Sequence, residues 1–431
     1  MIGLNEIFEK DKLPSYFSDF EDKRILIVGV GAVGSYLAEA LIKMKIYSLT
    51  LIDMDSLEAG NYSKSSGIYR YPEDLGRNKA IAMADRLNSL LDSDKVKGID
   101  ASITSFGPMA FAEFDLIILA LDNYGSKLYV NQCWKQLAKS NRPLLVFGGT
   151  INETAQSNCL DGEEACVRCL FDERWLKNPF RRTSCSGPQY RIEEASGEVV
   201  VTTGLASRIA SDIMAEQSRA YFLGYHQMIN MRTIYNPFPS IGIIQSHPLS
   251  RKDCPDCKSY KPVDDAIELE GLDVVRSTVG DLLLALKNKL KCDDYEVYIP
   301  RYEFGGVIYG KLICDDYCRN CGREIRKIYR HEFRTREKDL LCDECREKKT
   351  DVIRTGSSDR AGSYISGISL NNVDESLKSK TLYEIGFPVG GFITVCIRGQ
   401  GLDAIDDGFA THTFYCGNDR KALHTVTKLE G

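Results

Sequence analysis

Eight of the fifteen cysteines in this chain occur as Cys-x-x-Cys pairs. The four pairs are Cys166/Cys169, Cys254/Cys257, Cys318/Cys321 and Cys342/Cys345. Two such pairs supply the four thiolates of a tetrahedral zinc site, so the spacing predicts two structural zinc ions and leaves seven cysteines over. The first two pairs are far apart and suit a tie between a crossover segment and the end of a domain. The last two have the spacing of a self-contained zinc ribbon.

A glycine-rich turn lies near the start of the chain. The apolar residues 25–29 lead into Gly29, Gly31 and Gly34, and an amphipathic stretch follows directly. Glycine lets the backbone approach a phosphate, and a helix N-terminus adds free N–H groups and a positive dipole, so the turn favours a nucleotide ligand. Dehydrogenases, flavoenzymes, methyltransferases and nucleotide-activating enzymes share this turn, so alone it leaves the class open.

A cluster of acidic and basic residues follows the second predicted strand. Asp53 stands where a carboxylate can hold a ribose hydroxyl. The rest of the cluster is Asp55, Asn61, Lys64, Arg70, Arg77 and Lys79. Its positive charge suits a triphosphate, because the leaving pyrophosphate accumulates charge when the α-phosphorus is attacked. A nicotinamide enzyme has no such need.

A further carboxylate follows an apolar strand at Leu121-Asp122-Asn123. At the C-terminal edge of a parallel sheet, Asp122 would project into the nucleotide crevice as a hard oxygen ligand for Mg²⁺. The alternative makes Asp122 the N-cap of the next helix. Because the basic cluster precedes it, we favour magnesium.

Taken together, these motifs resemble those of ThiF/MoeB-type adenylyltransferases and ubiquitin-activating enzymes over roughly residues 20–260. The matching motifs are Gly29-x-Gly31-x-x-Gly34, Asp53-x-Asp55, Asn61-x-x-Lys64, Gly76-x-x-Lys79, Leu121-Asp122-Asn123 and the first two cysteine pairs. The resemblance implies ATP as cofactor, with Asp53 at the ribose, Asn61 and Lys79 at the phosphates or transition state, and Asp122 at Mg²⁺. It also implies a homodimer or a fused pseudo-dimer.

Two positions depart from the pattern of that family. Lys64 stands where the family usually has arginine, and lysine cannot make the same bidentate contact with a phosphate. Arg70 is the candidate that compensates. The family also commonly takes an arginine from the partner's N-terminal segment, whereas residues 1–23 offer only Lys10, Lys12 and Lys23.

Cys185 is the candidate nucleophile among the seven spare cysteines. It lies in the polar stretch RRTSCSGPQY, where Arg181 and Arg182 are close enough in sequence to favour a thiolate. Its place between the first zinc pair and a long predicted helix resembles the loop that carries the acceptor cysteine in related activating enzymes. We expect a thioester on Cys185, and the alternative is an exposed cysteine without a role.

Alternating strands and helices predict an α/β fold for residues 1–262, with a doubly wound, Rossmann-like, mainly parallel sheet. The long helix expected at 199–222 has small residues along one side. A polar, proline-bearing segment then leads into a smaller α+β domain at 270–431, with the zinc ribbon at about 314–348. Residues 376–397 resemble the end of a β-grasp module, which would recruit a conjugating partner; a generic protein-docking domain is the alternative. The glycine- and serine-rich stretch 355–367 predicts an exposed loop.

Composition narrows the classes of function. With 43% hydrophobic and 27% charged residues the chain is expected to be globular, and no apolar window or signal-like start predicts membrane insertion or export. We therefore expect a soluble, cytoplasmic protein. A net charge of −6 argues against general nucleic-acid binding and favours a protein or small-molecule partner. Arginines around the ribbon leave a nucleic-acid contact as the alternative to a structural insertion.

The sequence thus predicts ATP-dependent adenylation of the C-terminal carboxylate of a ubiquitin-like or sulfur-carrier protein, followed by thioester formation on Cys185. The combination of domains looks most like a bacterial ubiquitin-like conjugation system. Two alternatives stay open: an adenylating enzyme that acts on a peptide or a modified tRNA, and an inactive scaffold that binds nucleotide and zinc only for structure.

Overall fold

The computed structural model divides the chain into two compact units. The first contains residues 1–104, 111–262 and 426–429, and the second contains 105–110, 263–425 and 430–431. The structure describes residues 20–151, 153–171, 203–237, 242–248, 254–260, 262–304, 307–318, 321–331, 341–347, 363–398, 409–421 and 426–429. The two units are taken in turn below.

The first unit is built on one mixed sheet. Its strands are β1 (Arg24–Val28), β2 (Ser48–Asp53), β3 (Val96–Asp100), β4 (Leu116–Leu119), β5 (Leu144–Ile151), β6 (Thr154–Leu160), β7 (Met231–Asn236) and β8 (Ile243–Pro248). They are ordered β3-β2-β1-β4-β5-β6-β7-β8. The strands from β3 to β5 are parallel, and β6, β7 and β8 extend the sheet antiparallel.

Continuous apolar runs explain why the central strands are parallel and interior. All four residues of β4 (LIIL) are buried, as are Ile25 to Val28 of β1. Strands covered on both faces have this composition, because helices of the crossovers pack on each side. The predicted doubly wound, mainly parallel sheet is confirmed.

Helices complete the crossovers and the end of this unit. In chain order they are α1 (Ala32–Ile42), α2 (Lys79–Leu91), α3 (Pro108–Phe111), α4 (Tyr124–Lys135), α5 (Gly204–Phe222) and α6 (Pro255–Ser259). Only Phe111 of the short helix α3 is assigned to this unit. The small side chains of α5, among them Ala210 and Ser211, are buried and let the helix pack on α1, β5 and β6. Ser211 Oγ donates to the carbonyl oxygen of Val33 at 2.7 Å. The small-residue face of the long helix therefore covers the sheet.

The second unit is smaller and of mixed α+β composition. Its strands are β9 (Ile267–Leu269), β10 (Tyr295–Tyr298), β11 (Tyr302–Phe304), β12 (Val307–Tyr309), β13 (Leu312–Tyr317), β14 (Glu324–His331), β15 (Ser363–Ile365), β16 (Gly367–Ile368), β17 (Ile393–Arg398) and β18 (Phe409–Cys416). Five of them form a sheet of order β16-β10-β17-β18-β9, in which only the β18–β9 pair is parallel. The suggested β-grasp relationship stays a prediction.

The helices of this unit are α7 (Val279–Leu290), α8 (Asp343–Glu347) and α9 (Glu375–Lys378). A capping box starts α7: Thr278 Oγ1 accepts the N–H of Asp281 at 3.2 Å, and Asp281 Oδ2 accepts the N–H of Thr278 at 2.8 Å. Leu282, Leu283 and Leu286 are buried on one side of the helix. This amphipathic helix agrees with the pattern of its sequence.

A separate three-stranded antiparallel sheet of order β14-β13-β15 lies next to the second cysteine set in the chain. Its strand β15 falls in the stretch 355–367, for which the sequence predicts a loop. For residues 363–365 and for Gly367, the buried first residue of β16, that prediction is wrong. The strands β13 and β10 supply pairing partners that a glycine- and serine-rich sequence does not indicate. None of the helices in the described parts of the chain is both long and apolar enough to cross a membrane.

Candidate nucleotide site and metal centres

The three glycines of the turn after β1 differ in what a side chain at each position would contact. Gly29 has φ of +89°, and a Cβ there would lie 2.6 Å from the carbonyl oxygen of Ala120. A Cβ on Gly34 would lie 1.9 Å from the carbonyl oxygen of Gly29, so the helix could not pack on the turn. A Cβ on Gly31 would meet nothing within 4 Å. Gly31 therefore leaves open space where a ligand can approach the backbone.

A cavity of about 430 Å³ opens beside this turn, at the C-terminal ends of the parallel strands. Eight predicted residues line it: Gly29, Gly31, Asp53, Asp55, Asn61, Lys64, Lys79 and Asp122. Residues from three crossovers thus meet at one edge of the sheet, where open α/β sheets bind their ligands.

Three predicted residues, Gly34, Arg70 and Arg77, are not part of the cavity lining. Gly34 is buried beneath the turn, against Gly29. Arg70 is exposed, its backbone N–H donates to Asp74 Oδ2 at 2.8 Å, and it borders a separate depression with Tyr62. Arg70 is the candidate predicted to compensate for the arginine that Lys64 replaces, but its side chain does not line the cavity that contains Lys64.

Asp53 is held by the backbone at the floor of the cavity. Its Oδ2 accepts the N–H of Val30 at 2.7 Å, and its Oδ1 accepts the N–H of Asp55 at 2.9 Å. Burial raises the pKa of Asp53, whereas the nearby Lys79 and the two N–H groups act in the opposite direction. Each oxygen keeps a second lone pair, so the fixed carboxylate can still accept a hydroxyl of a ligand.

Lys79 is the first residue of α2 and is almost wholly buried. Asn78 caps this helix by accepting the N–H of Ala80, and its amide donates to the carbonyl oxygen of Asp53 at 2.8 Å. The ammonium of Lys79 lies 3.6 Å from Asp55 Oδ2. The helix start thus places a cation beside the two acidic residues of the cavity.

Asn61 and Lys64 occupy the segment between β2 and α2. Asn61 is buried, and its Oδ1 accepts the N–H of Glu58 at 2.9 Å. Lys64 is half-buried in the same cavity. Arg77, by contrast, forms ion pairs with Asp74 and Asp85, so its charge is used outside the cavity.

The N-cap alternative for Asp122 does not hold. The cap of α4 is Asn123, whose Oδ1 accepts the N–H of Ser126 at 2.8 Å. Asp122 is exposed and lines the cavity, so its carboxylate has the position and the oxygen chemistry that fit a magnesium ion.

Two cationic residues that line the cavity, Lys127 and Arg232, were not identified from the sequence. Lys127 lies on the first turn of α4 with its ammonium 5.7 Å from the centroid of the Tyr124 ring, and burial lowers its pKa to about 8. Arg232 on β7 donates from Nε to Asn158 Oδ1 at 3.0 Å. Lys127 follows Asp122 by five residues at the start of a predicted helix, a usable signal. Arg232 lies in an ordinary strand and offers none.

The first cysteine set forms a compact cluster. Cys166 Sγ lies 3.8 Å from Cys169 Sγ and 3.7 Å from Cys254 Sγ, and Cys169 Sγ lies 3.6 Å from Cys257 Sγ. A tetrahedral zinc with bonds of about 2.3 Å separates its sulfurs by about 3.8 Å. The donor set and its spacing therefore fit zinc.

The second cysteine set lies in the other unit. The sulfurs of Cys318, Cys321, Cys342 and Cys345 all lie within 4.8 Å of one another. The Sγ atoms of Cys321 and Cys342 are 3.7 Å apart. The N–H of Cys342 points at Cys318 Sγ at 3.2 Å, as in a thiolate site held by its own loop. This cluster also fits zinc.

The remaining cysteines differ in accessibility. Cys185 lies outside the described residues. Of the other six, five are buried: Cys133, Cys159, Cys314, Cys396 and Cys416. Burial raises the pKa of Cys133 and of Cys159 to about 12, which keeps these thiols protonated. Only Cys292, in the second unit, is partly accessible among these six.

Comparison with known proteins now adds to this geometry. The chain is similar to ubiquitin-like modifier-activating enzyme 5 of Dictyostelium discoideum, with 26% identity over 182 residues that cover 37% of this chain and 47% of the relative. The enzyme of the same name from Oryza sativa subsp. japonica is 22% identical over 293 residues, 63% of this chain and 66% of the relative. The chain thus spans about half the length of several curated relatives it matches.

Among solved structures, E. coli MccB crystallised with ATP superposes with a TM-score of 0.43 and 16% identity, covering 56% of this chain and 68% of MccB. The family model described as the ThiF family matches residues 6–259. That match covers more than half of the 431 residues. The chain therefore belongs to the ThiF family.

Proposed function

We propose that this chain uses Mg-ATP to adenylate the C-terminal carboxylate of a small ubiquitin-like or sulfur-carrier protein. The observation that carries the proposal is the cavity that unites the glycine turn, Asp53, Lys79 and Asp122 at one edge of the parallel sheet. Membership of the ThiF family and similarity to ubiquitin-like modifier-activating enzymes support it.

The nucleotide would lie across the ends of β2 and β1. Asp53 accepts a ribose hydroxyl, and the bare backbone at Gly31 leaves room for the phosphates beside the start of α1. The N-cap residue of α1 is Gly31, which has no side chain, and the first turn carries no acidic residue, so an anion can approach the N–H groups of the helix start. Lys64 and Lys79 add positive charge on the side of β2.

In the proposed reaction, a carboxylate oxygen of the carrier attacks the α-phosphorus of ATP. A new P–O bond forms while the bond from the α-phosphorus to the bridging oxygen breaks, and pyrophosphate leaves with that electron pair. Lys64, Lys79 and Asn61 stabilise the charge that accumulates on the leaving group. Asp122 would hold the Mg²⁺ ion, which neutralises phosphate charge when bound.

A second step would transfer the carrier to Cys185. The thiolate attacks the carbonyl carbon of the acyl-adenylate, the C–O bond to phosphate breaks, and AMP leaves. The burial of five other spare cysteines supports Cys185 as the acceptor, since an acceptor must reach a protein-sized substrate.

The second unit and the assembly also enter as proposals. We assign residues 1–262 to the adenylation domain and 270–431 to a domain with a zinc ribbon that recruits a conjugating partner. We also infer a homodimer, as in the related family, and a molar mass in solution near twice 48.3 kDa would support it.

Exchange of labelled pyrophosphate into ATP tests the proposed activity. Exchange that depends on a small protein with a free C-terminal carboxylate supports it. Exchange driven by a peptide or a modified tRNA instead would select the alternative adenylating enzymes, and its complete absence would leave the scaffold.

A further inference from the structure

The two sides of the α-phosphorus correspond to two sides of the cavity. Attacking and leaving oxygens lie roughly in line during transfer of a phosphoryl group. Lys64 and Lys79 follow β2, which neighbours β1 on one side, and β4 neighbours β1 on the other. With pyrophosphate leaving toward Lys64 and Lys79, the nucleophile must arrive from the side of β4.

Lys127 is the cation that the cavity offers on that side. It belongs to α4, the helix that follows β4. The strand β4 lies next to β1 in the sheet, at a spacing of about 5 Å. Arg232 is the other lining cation beyond β1, but β7 lies three strands further, about 14 Å from β4, and Asn158 holds its Nε. Of the two, Lys127 is the one that follows the strand next to β1, on the side from which the nucleophile arrives.

The surroundings of Lys127 favour an anionic ligand. Its side chain is half-buried, and its ammonium lies over the ring of Tyr124 at 5.7 Å from the centroid. Among the described residues it forms no ion pair, whereas the ammonium of Lys79 lies 3.6 Å from Asp55 Oδ2. Burial lowers the pKa of Lys127, although Asp122 nearby acts in the opposite direction. A desolvated ammonium regains stabilisation when a carboxylate binds.

The part of the cavity lining that β5 supplies has room for a C-terminal segment with small side chains. Gly149 on β5 lines the cavity, and a Cβ there would meet nothing within 4 Å. Phe171 closes the same side with its ring against Tyr124. A chain that ends in small residues can therefore lie along bare backbone with its carboxylate at Lys127.

We propose that Lys127 binds the C-terminal carboxylate of the incoming chain and orients it toward the α-phosphorus. The proposal rests on the proposed function and assigns a substrate contact to a residue outside the motifs of the sequence. It makes Lys127 a specificity residue for a free carboxylate as against an amide.

The test compares two labelled peptides that end in Gly-Gly, one with a free carboxylate and one with a C-terminal amide. Fluorescence anisotropy measures their binding to the full chain saturated with a non-hydrolysable ATP analogue. The wild type should bind the carboxylate about tenfold more tightly, as expected for one charge-assisted contact. Lys127→Gln should reduce that preference below threefold, and Lys127→Arg should retain it.

Two results would overturn the proposal: no carboxylate preference in the wild type, or an undiminished preference in Lys127→Gln. Lys97→Gln is the matched control, since Lys97 is a half-buried lysine on β3 outside the cavity lining, and it should behave as the wild type. Affinity for the ATP analogue, measured separately, should stay within twofold in every variant. A wild type that binds no ATP analogue would instead contradict the proposed function itself.

Discussion

The ring of Phe171 packs edge-on against the ring of Tyr124, with their centroids 4.7 Å apart. Phe171 follows the metal-site residue Cys169 by two positions, and Tyr124 begins α4. Both rings line the cavity. A second link joins the same parts, because Asn131 of α4 accepts the N–H of Val167 at 2.9 Å. The first cysteine cluster therefore supports one wall of the candidate nucleotide site.

This relationship predicts that the two zinc sites differ in their effect on the cavity. The wild type should contain two zinc ions per chain, one for each set of four thiolates. Cys169→Ser and Cys321→Ser should each lower the content to one. Only Cys169→Ser should weaken ATP binding, because Cys321 belongs to the other unit. Metal analysis and calorimetric titration with ATP measure both quantities.

Phe171→Ala separates loss of the wall from general unfolding in that experiment. It removes the ring contact and leaves all four thiolates, so it should retain two zinc ions and still weaken ATP binding. Equal ATP affinity in the wild type, Cys169→Ser and Phe171→Ala would show that the cluster does not support the site.

Alanine substitutions at the neighbouring residues Asp122 and Asn123 should have different effects, the first on pyrophosphate exchange and the second on folding stability. Asp122→Ala should abolish magnesium-dependent pyrophosphate exchange with little loss of stability, because its exposed carboxylate is the proposed metal ligand and not the cap. Asn123→Ala removes the cap of α4 and should cost about 1 kcal/mol of folding free energy. Exchange rates and thermal unfolding check the pair, and normal exchange in Asp122→Ala would refute the assignment.

Much of the first unit follows from its sequence because local and long-range signals agree there. β2 has the bounds of the apolar run SLTLID, and α2 follows its amphipathic pattern to Leu91. Apolar strands between helical segments admit few arrangements other than a parallel sheet. The cysteine pairs likewise come together as their spacing predicts.

The residues of the candidate site could be predicted less completely than the fold, because tertiary packing decides which side chains meet in the cavity. Arg70 lies between two of the nucleotide motifs in sequence, yet its backbone N–H is bound by Asp74 and its side chain is not part of the cavity lining. Arg232 enters the cavity from an antiparallel strand that carries no motif. In the second unit, β15 forms because β13 offers its edge, so its own sequence did not reveal it.

Stability should depend on pH through Asp419 of the second unit. This carboxyl is 1% exposed, accepts the N–H groups of Val274 and Gly390 at 3.0 Å, and has its pKa raised by burial to about 7. A folded-state pKa above the ordinary 3.8 means that the folded state binds the proton more tightly. Protonated Asp419 therefore contributes to the free energy of unfolding in full below about pH 4. This stabilisation is lost as the pH rises to 7, and above pH 7 the group causes no further change.

Thermal unfolding of the full chain between pH 5 and pH 9 checks this expectation. The melting temperature of the wild type should fall relative to that of Asp419→Asn between pH 5 and pH 7, because asparagine does not titrate. The two curves should then run parallel above pH 8. Parallel curves over the whole range would show that Asp419 keeps an ordinary pKa.

Cys185→Ala should separate the adenylation step from the thioester step. The variant should keep pyrophosphate exchange nearly intact, because the thiol acts only after the adenylate has formed. It should lose the reducible, higher-mass adduct of enzyme and carrier on a gel run without thiol. An adduct that persists in the variant would assign the acceptor role to another cysteine, with Cys292 the next to replace.

Pyrophosphate exchange tests the central claim most directly. The full chain is incubated with ATP, Mg²⁺, labelled pyrophosphate and, one at a time, small ubiquitin-like and sulfur-carrier proteins that end in glycine. The account predicts label in ATP with at least one of them, and none when its C-terminal glycine is removed or Mg²⁺ is omitted. Exchange with no carrier in the panel, or at the same rate without any carrier, would contradict the account.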